Sequence, residues 1–324
     1  MKFHVCRLTF LSEVHIGNGM LADSEYTMHA DTFFSALCQE AFKIYGESGI
    51  KELVDLAETE QFMLSDGLPY VGDRLYFPKP LDNDFLSTLL KEKMNASSVH
   101  RKMLKKLNYI PLSVLMQQEE KFNVEKEVET IKNIGTGRVR MKASIKGLDE
   151  PKPYGVGGFQ FASNNGMYFL FGIEEKIYDY IKNLLDSLKF TGIGGKLSSG
   201  MGKFEYQLEE ISEQIVSKLC YGKKAEKEKN VMTLNVSLPN SNMEEIIKNG
   251  FISILKRSGF VSSPSYTVNM KNVEGYTKKK NLYVFSAGSC LATGYDGNII
   301  DLKDKDGKHS VYRYAKPLFW RLGE

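Results

Sequence analysis

The pattern of apolar and polar residues begins with a stretch that has apolar side chains at both odd and even positions. It runs over Lys2–Phe10. Successive side chains of a strand point to opposite faces of its sheet, so this stretch is apolar on both faces. That is typical of a strand with neighbours on both sides. The pattern therefore predicts a first strand that lies inside a sheet.

A helix is predicted after a polar loop, over TFFSALCQEAFKIYG, residues 32–46. Asp31 stands where an N-cap residue accepts hydrogen bonds from the first helical amides, and Gly46 is placed to end the helix. The apolar residues recur at intervals of three and four, so they form one face that we expect to pack into a core. That face consists of Phe34, Leu37, Cys38 and Ala41.

The first two thirds of the chain predict the order strand, helix, strands, helix and strand. A strand pair turns at Gly72-Asp73 and a hairpin turns at Asn164-Asn165-Gly166. A helix covers residues 174–190, and its apolar face, Ile177, Ile181, Leu184, Leu185 and Leu188, is expected to pack into a core. A strand covers residues 202–211. This order is that of the split β-α-β unit of ferredoxin-like domains. A charged stretch without apolar clustering, residues 220–230, is expected to be a boundary.

The pattern starts again beyond this boundary. A strand is predicted over 231–239, a helix over 243–259 that ends at Gly259, and strands over 281–291, 294–302 and 310–322. We therefore predict an α+β fold with two domains in tandem, residues 1–218 and 228–324. The repetition is one of element order and not of sequence.

Composition and charge narrow the possible functions. The chain has 324 residues and a formal net charge of +3, so a site for a polyanion has to be a local patch. The four cysteines form no C-x-x-C pair, and the stretch 301–309 lacks the closing glutamate of a calcium loop. We expect no metal site, no cofactor and no disulfide. Neither a signal segment nor a membrane-spanning stretch is evident, which predicts a soluble cytoplasmic protein.

The segment TGIGGKLSSGMGKF, residues 191–204, is the strongest candidate for chemistry. It is not a Walker loop, because Phe190 stands in place of the first glycine and Leu197 follows the lysine. It is not a dinucleotide fingerprint, because Leu197 replaces the third glycine and a helix precedes the loop. Two interpretations remain: a turn, or a loop whose amides, lysines and hydroxyls contact an extended phosphodiester chain.

Other cations and aromatic residues leave alternatives open. Arg138, Arg140 and Lys142 alternate with apolar residues, which places them on one face of an extended ribbon. That face fits either contact with a polyanion or a solvated edge strand. Tyr312 and Arg313 fit either base stacking with phosphate pairing or packing inside a C-terminal strand. The basic stretch HRKMLKKLNY, within a weakly patterned region over 81–132, favours a solvated helix.

Two histidines bear on whether the chain is an enzyme. His15 lies in the loop VHIGNG, and His29 lies just before the first helix. Either residue could act as a general acid or base. A single histidine in a polar loop also serves as a hydrogen-bond donor to phosphate or backbone.

Taken together, several motifs resemble a known family. The loop GIGGKLSSGMGKF, after a helix and before a strand, resembles the glycine-rich signature of the RAMP superfamily of CRISPR proteins. VHIGNG, HADTFFSAL and LYFPKP precede it in order, and RSGFVSS, VFSAGSCL and HSVYRYAKPLFW follow it. The whole set resembles the fourth subunit of the type III-A (Csm) interference complex, over nearly the entire chain.

The resemblance implies tandem ferredoxin-like (RRM-like) domains, with a β-hairpin thumb inserted in the first at about residues 81–160. The ribbon Arg138–Lys146 is the candidate for this thumb. It also implies a non-catalytic RNA-binding subunit that caps the complex on the repeat-derived 5′ tag of the crRNA. Its expected partners are that tag, the large Palm-domain subunit, the backbone RAMP subunit and, through the guide duplex, the target RNA.

Two alternatives stay open beside this expectation. One is a repeat-cleaving endoribonuclease with His15 or His29 as the base, and the other is a pure protein–protein adaptor. The expected RNA contacts are His15, Gly17, Asn18, Gly19, Arg138, Arg140, Lys142, Gly192, Gly194, Gly195, Lys196, Ser198, Ser199, Gly200, Gly202, Lys203, Tyr312 and Arg313.

Overall fold

The computed structural model describes most of the chain and divides it into two compact units. The described residues are 1–90, 98–119, 121–144, 150–240, 243–248, 250–261, 277–305 and 307–323. Unit 1 consists of residues 1–28, 66–79 and 83–211, and unit 2 of residues 29–65, 80–82 and 212–324.

The strands and helices follow one another along both units. The strands are β1 (Lys2–Phe10), β2 (Phe62–Leu64), β3 (Leu68–Val71), β4 (Arg74–Pro78), β5 (Tyr109–Pro111), β6 (Gly135–Ser144), β7 (Lys152–Phe161), β8 (Asn165–Ile173), β9 (Phe204–Glu210), β10 (Leu219–Tyr221), β11 (Lys229–Thr233), β12 (Ile254–Arg257), β13 (Leu282–Phe285), β14 (Cys290–Thr293), β15 (Ile299–Asp301), β16 (Tyr312–Tyr314) and β17 (Leu318–Arg321). The helices are α1 (Ala30–Glu58), α2 (Asn83–Leu90), α3 (Ser98–Lys106), α4 (Leu112–Leu115), α5 (Val124–Lys132), α6 (Tyr178–Thr191), α7 (Glu213–Lys218), α8 (Gly222–Ala225) and α9 (Met243–Lys248).

Unit 1 is built on an antiparallel sheet in which six strands follow the order β5-β4-β3-β8-β1-β9. The prediction for β1 is confirmed, because Leu8 pairs with Met167 on one side and with Tyr206 on the other. The predicted turn at Gly72-Asp73 joins β3 to β4. The apolar stripe of α6 is buried as its helical spacing predicts, and it consists of Ile181, Leu184, Leu185 and Leu188.

The strands β6 and β7 form a separate two-stranded ribbon in unit 1, with Arg138 opposite Gly158 and Arg140 opposite Val156. The predicted turn near Asn164 is present, but the hairpin through it is wrong. Strand β7 pairs with β6, whereas β8 pairs with β1 and β3, so the turn joins two sheets. Residues 145–149, which include Lys146 of the predicted thumb, lie outside the described residues.

Unit 2 combines the long helix α1 with a four-stranded sheet of order β10-β17-β11-β14 and the ribbons β12–β13 and β15–β16. The predicted first helix is present, but it continues to Glu58, and Gly46 only interrupts it with a φ of 70° and a ψ of −155°. The predicted N-cap at Asp31 is wrong. The helix begins at Ala30 with His29 as N-cap, and the Asp31 carboxylate instead accepts hydrogen bonds from Arg257 and Arg313.

The pattern over the C-terminal part of unit 2 was misleading in two places. The predicted helix over 243–259 is wrong beyond Lys248, because residues 254–257 form β12 and pair with β13. Each of two predicted strands, over 281–291 and 310–322, is divided into two shorter ones. In the second, Pro317 lies in the break, and proline has no amide hydrogen for a strand ladder.

The strands and helices together confirm the α+β class with antiparallel sheets. The domain boundaries 1–218 and 228–324 stay a prediction, and the compact units run differently along the chain, with residues 29–65 in unit 2. Within the described part of the chain, no helix is long and apolar enough to cross a membrane. The same residues contain no group of three or more His, Cys, Asp or Glu side chains arranged for a metal ion.

Candidate nucleic-acid interface

The glycine-rich loop of unit 1 begins where α6 ends and folds back on itself. The Gly192 amide donates to Leu188 O at 2.7 Å, which closes the last turn of the helix. The Ile193 amide then donates to Gly202 O at 2.9 Å. Both Gly192 and Gly202 have positive φ, which glycine adopts without strain. The two ends of the loop are therefore fixed by backbone hydrogen bonds.

Two glycines of the loop are required by close packing of backbone against backbone. A Cβ on Gly194 would lie 2.6 Å from His15 O, and a Cβ on Gly202 would lie 2.0 Å from Ile193 O. The amides of seven residues donate to acceptors within the protein: Gly192, Ile193, Gly195, Ser199, Gly200, Gly202 and Lys203. Since these amides have protein acceptors, side chains have to supply most contacts to a phosphate at this loop.

The tip of the loop is its exposed part. Lys196 adopts a left-handed conformation with a φ of 60° and begins a short 3₁₀ turn. Ser198 and Ser199 are exposed, and a Cβ on Gly200 would meet no atom within 4 Å. The tip thus presents one ammonium group and two hydroxyl groups outside the packed base of the loop.

His15 joins three segments of unit 1. Its Nδ1 lies 2.7 Å from Gly157 O on the ribbon, and its backbone oxygen accepts a hydrogen bond from Gly195 in the loop. The imidazole ring is buried against both Gly195 and Gly17, where added Cβ atoms would approach it to 2.6 Å and 3.4 Å. Of the two roles left open for this histidine, the structure supports loop structuring.

Glu13 was not singled out from the sequence, yet it connects the cations of the ribbon to the loop. Its backbone oxygen accepts a hydrogen bond from the Gly202 amide at 2.8 Å. Its carboxylate is only 3% exposed and lies 2.9 Å from Arg140 Nε and 3.5 Å from Arg138 Nη1. The two arginine side chains remain 56–57% exposed. A third contact joins Lys142 Nζ to Ser199 Oγ at 2.9 Å. The only hint in the sequence is one acidic residue just before His15.

These contacts define one continuous surface, which we name the loop–ribbon surface. It is formed by Arg138, Arg140, Lys142 and residues 192–203, which the buried residues Glu13 and His15 hold together. Five side chains on it carry positive charge, from the two arginines, Lys142, Lys196 and Lys203, against the one carboxylate of Glu13. A guanidinium group can donate two hydrogen bonds to one phosphate, and an ammonium group attracts its negative charge. Several such groups close together therefore suit successive phosphates of a nucleic-acid strand. The sequence had indicated the loop and the ribbon separately.

The short loop after His15 flanks this surface in unit 1. Gly17, Asn18 and Gly19 are exposed, and the Asn18 amide nitrogen donates to Glu25 Oε1 at 3.0 Å. Gly19 has a φ of 119°, which only glycine adopts readily. These residues are accessible, and their role as RNA contacts stays a prediction.

Arg313 and Tyr312 lie in unit 2, where Arg313 has a structural partner. Its Nη1 donates to Asp31 Oδ2 at 2.6 Å and its Nη2 to Ser258 O at 3.1 Å. Burial lowers the pKa of Arg313, although the Asp31 carboxylate opposes this effect. Because the guanidinium is buried and bonded, the geometry favours the packing interpretation, and we leave both residues out of the loop–ribbon surface. His29 is likewise in unit 2.

Comparisons with known proteins show which family the chain belongs to. A model of the RAMP superfamily matches residues 7–205, and a model described as CRISPR Csm4 C-terminal domain matches residues 226–322. A Mycobacterium tuberculosis (strain ATCC 25618 / H37Rv) protein named CRISPR system Cms protein Csm4 is 31% identical to the chain over 327 residues. That alignment covers 100% of this chain and 99% of the relative. The chain therefore belongs to the RAMP superfamily and, within it, to the Csm4 family.

Solved structures show the same fold. One is the crystal structure of a Csm3–Csm4 subcomplex of the type III-A CRISPR-Cas interference complex, with a TM-score of 0.64 and 19% identity. Another is a Csm1–Csm4 cassette in complex with cA4, with a TM-score of 0.58 and 21% identity. Both alignments cover 100% of each chain.

Proposed function

We propose that the chain is the non-catalytic subunit that caps a type III-A CRISPR complex by binding the 5′ tag of the crRNA at the loop–ribbon surface. The observation that carries this proposal is the convergence of Arg138, Arg140 and Lys142 on the glycine-rich loop through Glu13 and Ser199. Such a surface suits several consecutive phosphates of one strand, because its cations are spread over two elements.

Membership in the Csm4 family supports the partners in this proposal. Relatives have been solved in a subcomplex with Csm3 and in a cassette with Csm1. We infer that this chain bridges the corresponding large Palm-domain and backbone RAMP subunits, and that its two domains are ferredoxin-like with the β6–β7 ribbon as thumb. Target RNA would then be reached only through the guide duplex.

The environment of His15 supports a binding role over catalysis. A general base has to reach the proton that it removes, but the Nδ1 of His15 is engaged with Gly157 O and the ring is buried against the loop. The proposed subunit therefore holds RNA without cleaving it. If the unchanged chain cleaves repeat RNA and a His15→Ala variant does not, the proposed non-catalytic role is wrong.

Binding of tag RNA at a series of salt concentrations tests the proposed surface. Each phosphate contact of a single strand contributes about 0.7 to the slope of log affinity against log salt. We expect a Lys196→Ala/Lys203→Ala variant to bind more weakly and to lose up to about 1.4 of this slope. Fluorescence anisotropy with a labelled tag RNA measures both quantities on the full chain.

The matched control is Lys105→Ala/Lys106→Ala, which removes two exposed lysines from the end of α3 in unit 1. This variant has the same change in net charge, so it should keep nearly the full slope. Equal slopes for the two variants would mean that tag RNA does not use the loop. Normal assembly with the other subunits but no RNA contact from this chain would favour the adaptor alternative.

A further inference from the structure

Phe190 is an aromatic side chain that the fold of unit 1 does not use. Its side chain is 71% exposed, the highest value for a large apolar residue in the described part of the chain. It lies in the last turn of α6, away from the buried stripe that includes Leu184 and Leu188. The ring therefore stays largely in water at the start of the glycine-rich loop.

Two lysines contact Phe190, one at its ring and one at its backbone. Lys189 Nζ lies 5.2 Å from the ring centroid, within the range of a cation–π contact. The same ammonium is 3.0 Å from Glu205 Oε2, so its position is fixed by a second contact. Lys203, at the other end of the loop, donates from Nζ to the carbonyl oxygen of Phe190. One positive charge thus lies over the ring and a second lies at the backbone of the same residue, at the start of the glycine-rich loop.

We propose that Phe190 stacks on a base of the bound RNA and that Lys189 and Lys203 contact the phosphates beside that base. This inference rests on the proposed function and adds to it a base-stacking subsite at the end of α6. Proteins that bind single-stranded RNA combine exposed aromatic rings with nearby cations in this way, since every base has a π face. The cores of protein–protein interfaces are depleted in lysine, so the two lysines favour RNA as the occupant.

Stacking and phosphate contact can be separated by experiment. In the full chain, Phe190→Ala should weaken binding of tag RNA roughly 5- to 150-fold, the usual range for loss of one stacked base. The slope of log affinity against log salt should stay as in the unchanged chain, because no ion pair is removed. Phe190→Trp should keep the affinity, since indole also stacks.

A set of tag RNAs with one abasic nucleotide each locates the stacked base. For one of these RNAs, the unchanged chain and Phe190→Ala should bind equally, because the base that Phe190 contacts is already missing. Phe42→Ala is the control, since Phe42 is also exposed, at 53%, but lies on α1 in unit 2. It should bind every RNA as the unchanged chain does.

Other results would overturn the subsite. If Phe190→Ala binds tag RNA within twofold of the unchanged chain while Lys196→Ala/Lys203→Ala binds weakly, the loop is an RNA site and Phe190 is not part of it. If Phe190→Ala keeps RNA affinity but loses co-purification with the backbone RAMP subunit, the ring contacts protein. If the unchanged chain shows no salt-dependent binding of tag RNA, the proposed function itself fails, together with the subsite.

Discussion

At the scale of single residues, Asp31 shows how strongly neighbouring charges change the pKa of a buried carboxyl group. The carboxylate is buried in unit 2, with Arg257 Nη2 at 2.8 Å and Arg313 Nη1 at 2.6 Å. Burial alone would raise its pKa, but attraction and hydrogen bonding by Arg257 and attraction by Arg313 lower the pKa to about 2. A folded pKa below the unfolded value means that the carboxylate stabilises the fold above the unfolded pKa. This stabilisation is lost as pH falls towards 2.

Replacement of Asp31 tests this account. Asp31→Asn leaves buried guanidinium groups without a counter-charge, so we expect it to reduce the free energy of unfolding by about 3–5 kcal/mol near neutral pH. The difference between the two proteins should shrink by about 1 kcal/mol between pH 6 and pH 3, because only the unchanged chain takes up this proton. Urea unfolding across this pH range measures both effects.

The control for this substitution is Asp23→Asn, at an exposed position in unit 1. It should change the unfolding free energy by less than about 0.5 kcal/mol at every pH. A difference between Asp31→Asn and the unchanged chain that stays constant from pH 6 to pH 3 would contradict the lowered pKa of Asp31.

At the scale of elements, the β6–β7 ribbon depends on a few contacts at its base. A two-stranded ribbon is marginally stable by itself. It is joined to the rest of unit 1 by the pairing of Val14 with Phe159 and by the contacts of Glu13 with Arg138 and Arg140. The buried carboxylate thus holds the two guanidinium groups beside the glycine-rich loop.

We expect Glu13→Gln to loosen the ribbon, because glutamine keeps the shape of the side chain but removes its charge. The arginines are more than half exposed, so solvent screens their attraction to Glu13. We therefore expect the free energy of local opening of the ribbon to fall by only about 1 kcal/mol, which makes amide exchange roughly fivefold faster. Hydrogen exchange of the β6 amides measures this change.

Glu175→Gln serves as control, since Glu175 is an exposed carboxylate of unit 1 whose contact with Lys2 is 3.8 Å long. Exchange in β6 should be the same for this variant and the unchanged chain. If Glu13→Gln also leaves β6 exchange unchanged, the Glu13 carboxylate does not stabilise the ribbon.

The elements that the sequence predicted well are those specified by nearby residues. The strand β1, the turn at Gly72-Asp73 and the buried stripe of α6 follow from side-chain period and turn chemistry over about ten residues. The strand β12 was mistaken for helix because its apolar residues also fit helical spacing. Its pairing partner β13 lies about thirty residues later, and pairing decides the outcome.

The candidate site shows the same limit. Its glycines and alternating cations are visible as motifs, so the loop and the ribbon could be predicted. The role of Glu13 could not be predicted, because it depends on Arg138, which is 125 residues away along the chain. The exposure of Phe190 could not be predicted either, since helical spacing identifies a buried stripe but does not show what the rest of the helix contacts.

At the scale of the whole molecule, unit 2 is assembled from separate parts of the chain. The N-terminal segment 29–65 supplies α1 and β2, and the C-terminal segment from 212 supplies the sheet and both ribbons. Phe34 on α1 lies 5.2 Å from the ring of Tyr314, and the Leu64 amide donates to Tyr314 Oη at 3.1 Å. The Glu58 carboxylate accepts a hydrogen bond from the Ile299 amide at 2.6 Å.

This discontinuity predicts how fragments behave. Residues 212–324 expressed alone should lack a cooperative thermal transition, because the partners of Tyr314 and of the Ile299 amide are missing. Co-expression with residues 1–211 should restore a transition like that of the intact chain. Calorimetry and near-UV circular dichroism of the two preparations measure this. A cooperative transition in the 212–324 fragment alone would show that the C-terminal part folds without α1.

The contacts of α1 and β2 with the C-terminal strands also have a consequence for synthesis on the ribosome. Leu64 and Tyr314 are 250 residues apart, and translation adds about 5–20 residues per second. Once residue 64 has been made, Tyr314 follows only about 12–50 s later. Until then, the apolar face around Phe34 has emerged from the ribosome without one of its native partners. For most of the time that its synthesis takes, the nascent chain therefore exposes an apolar face of the kind that chaperones bind.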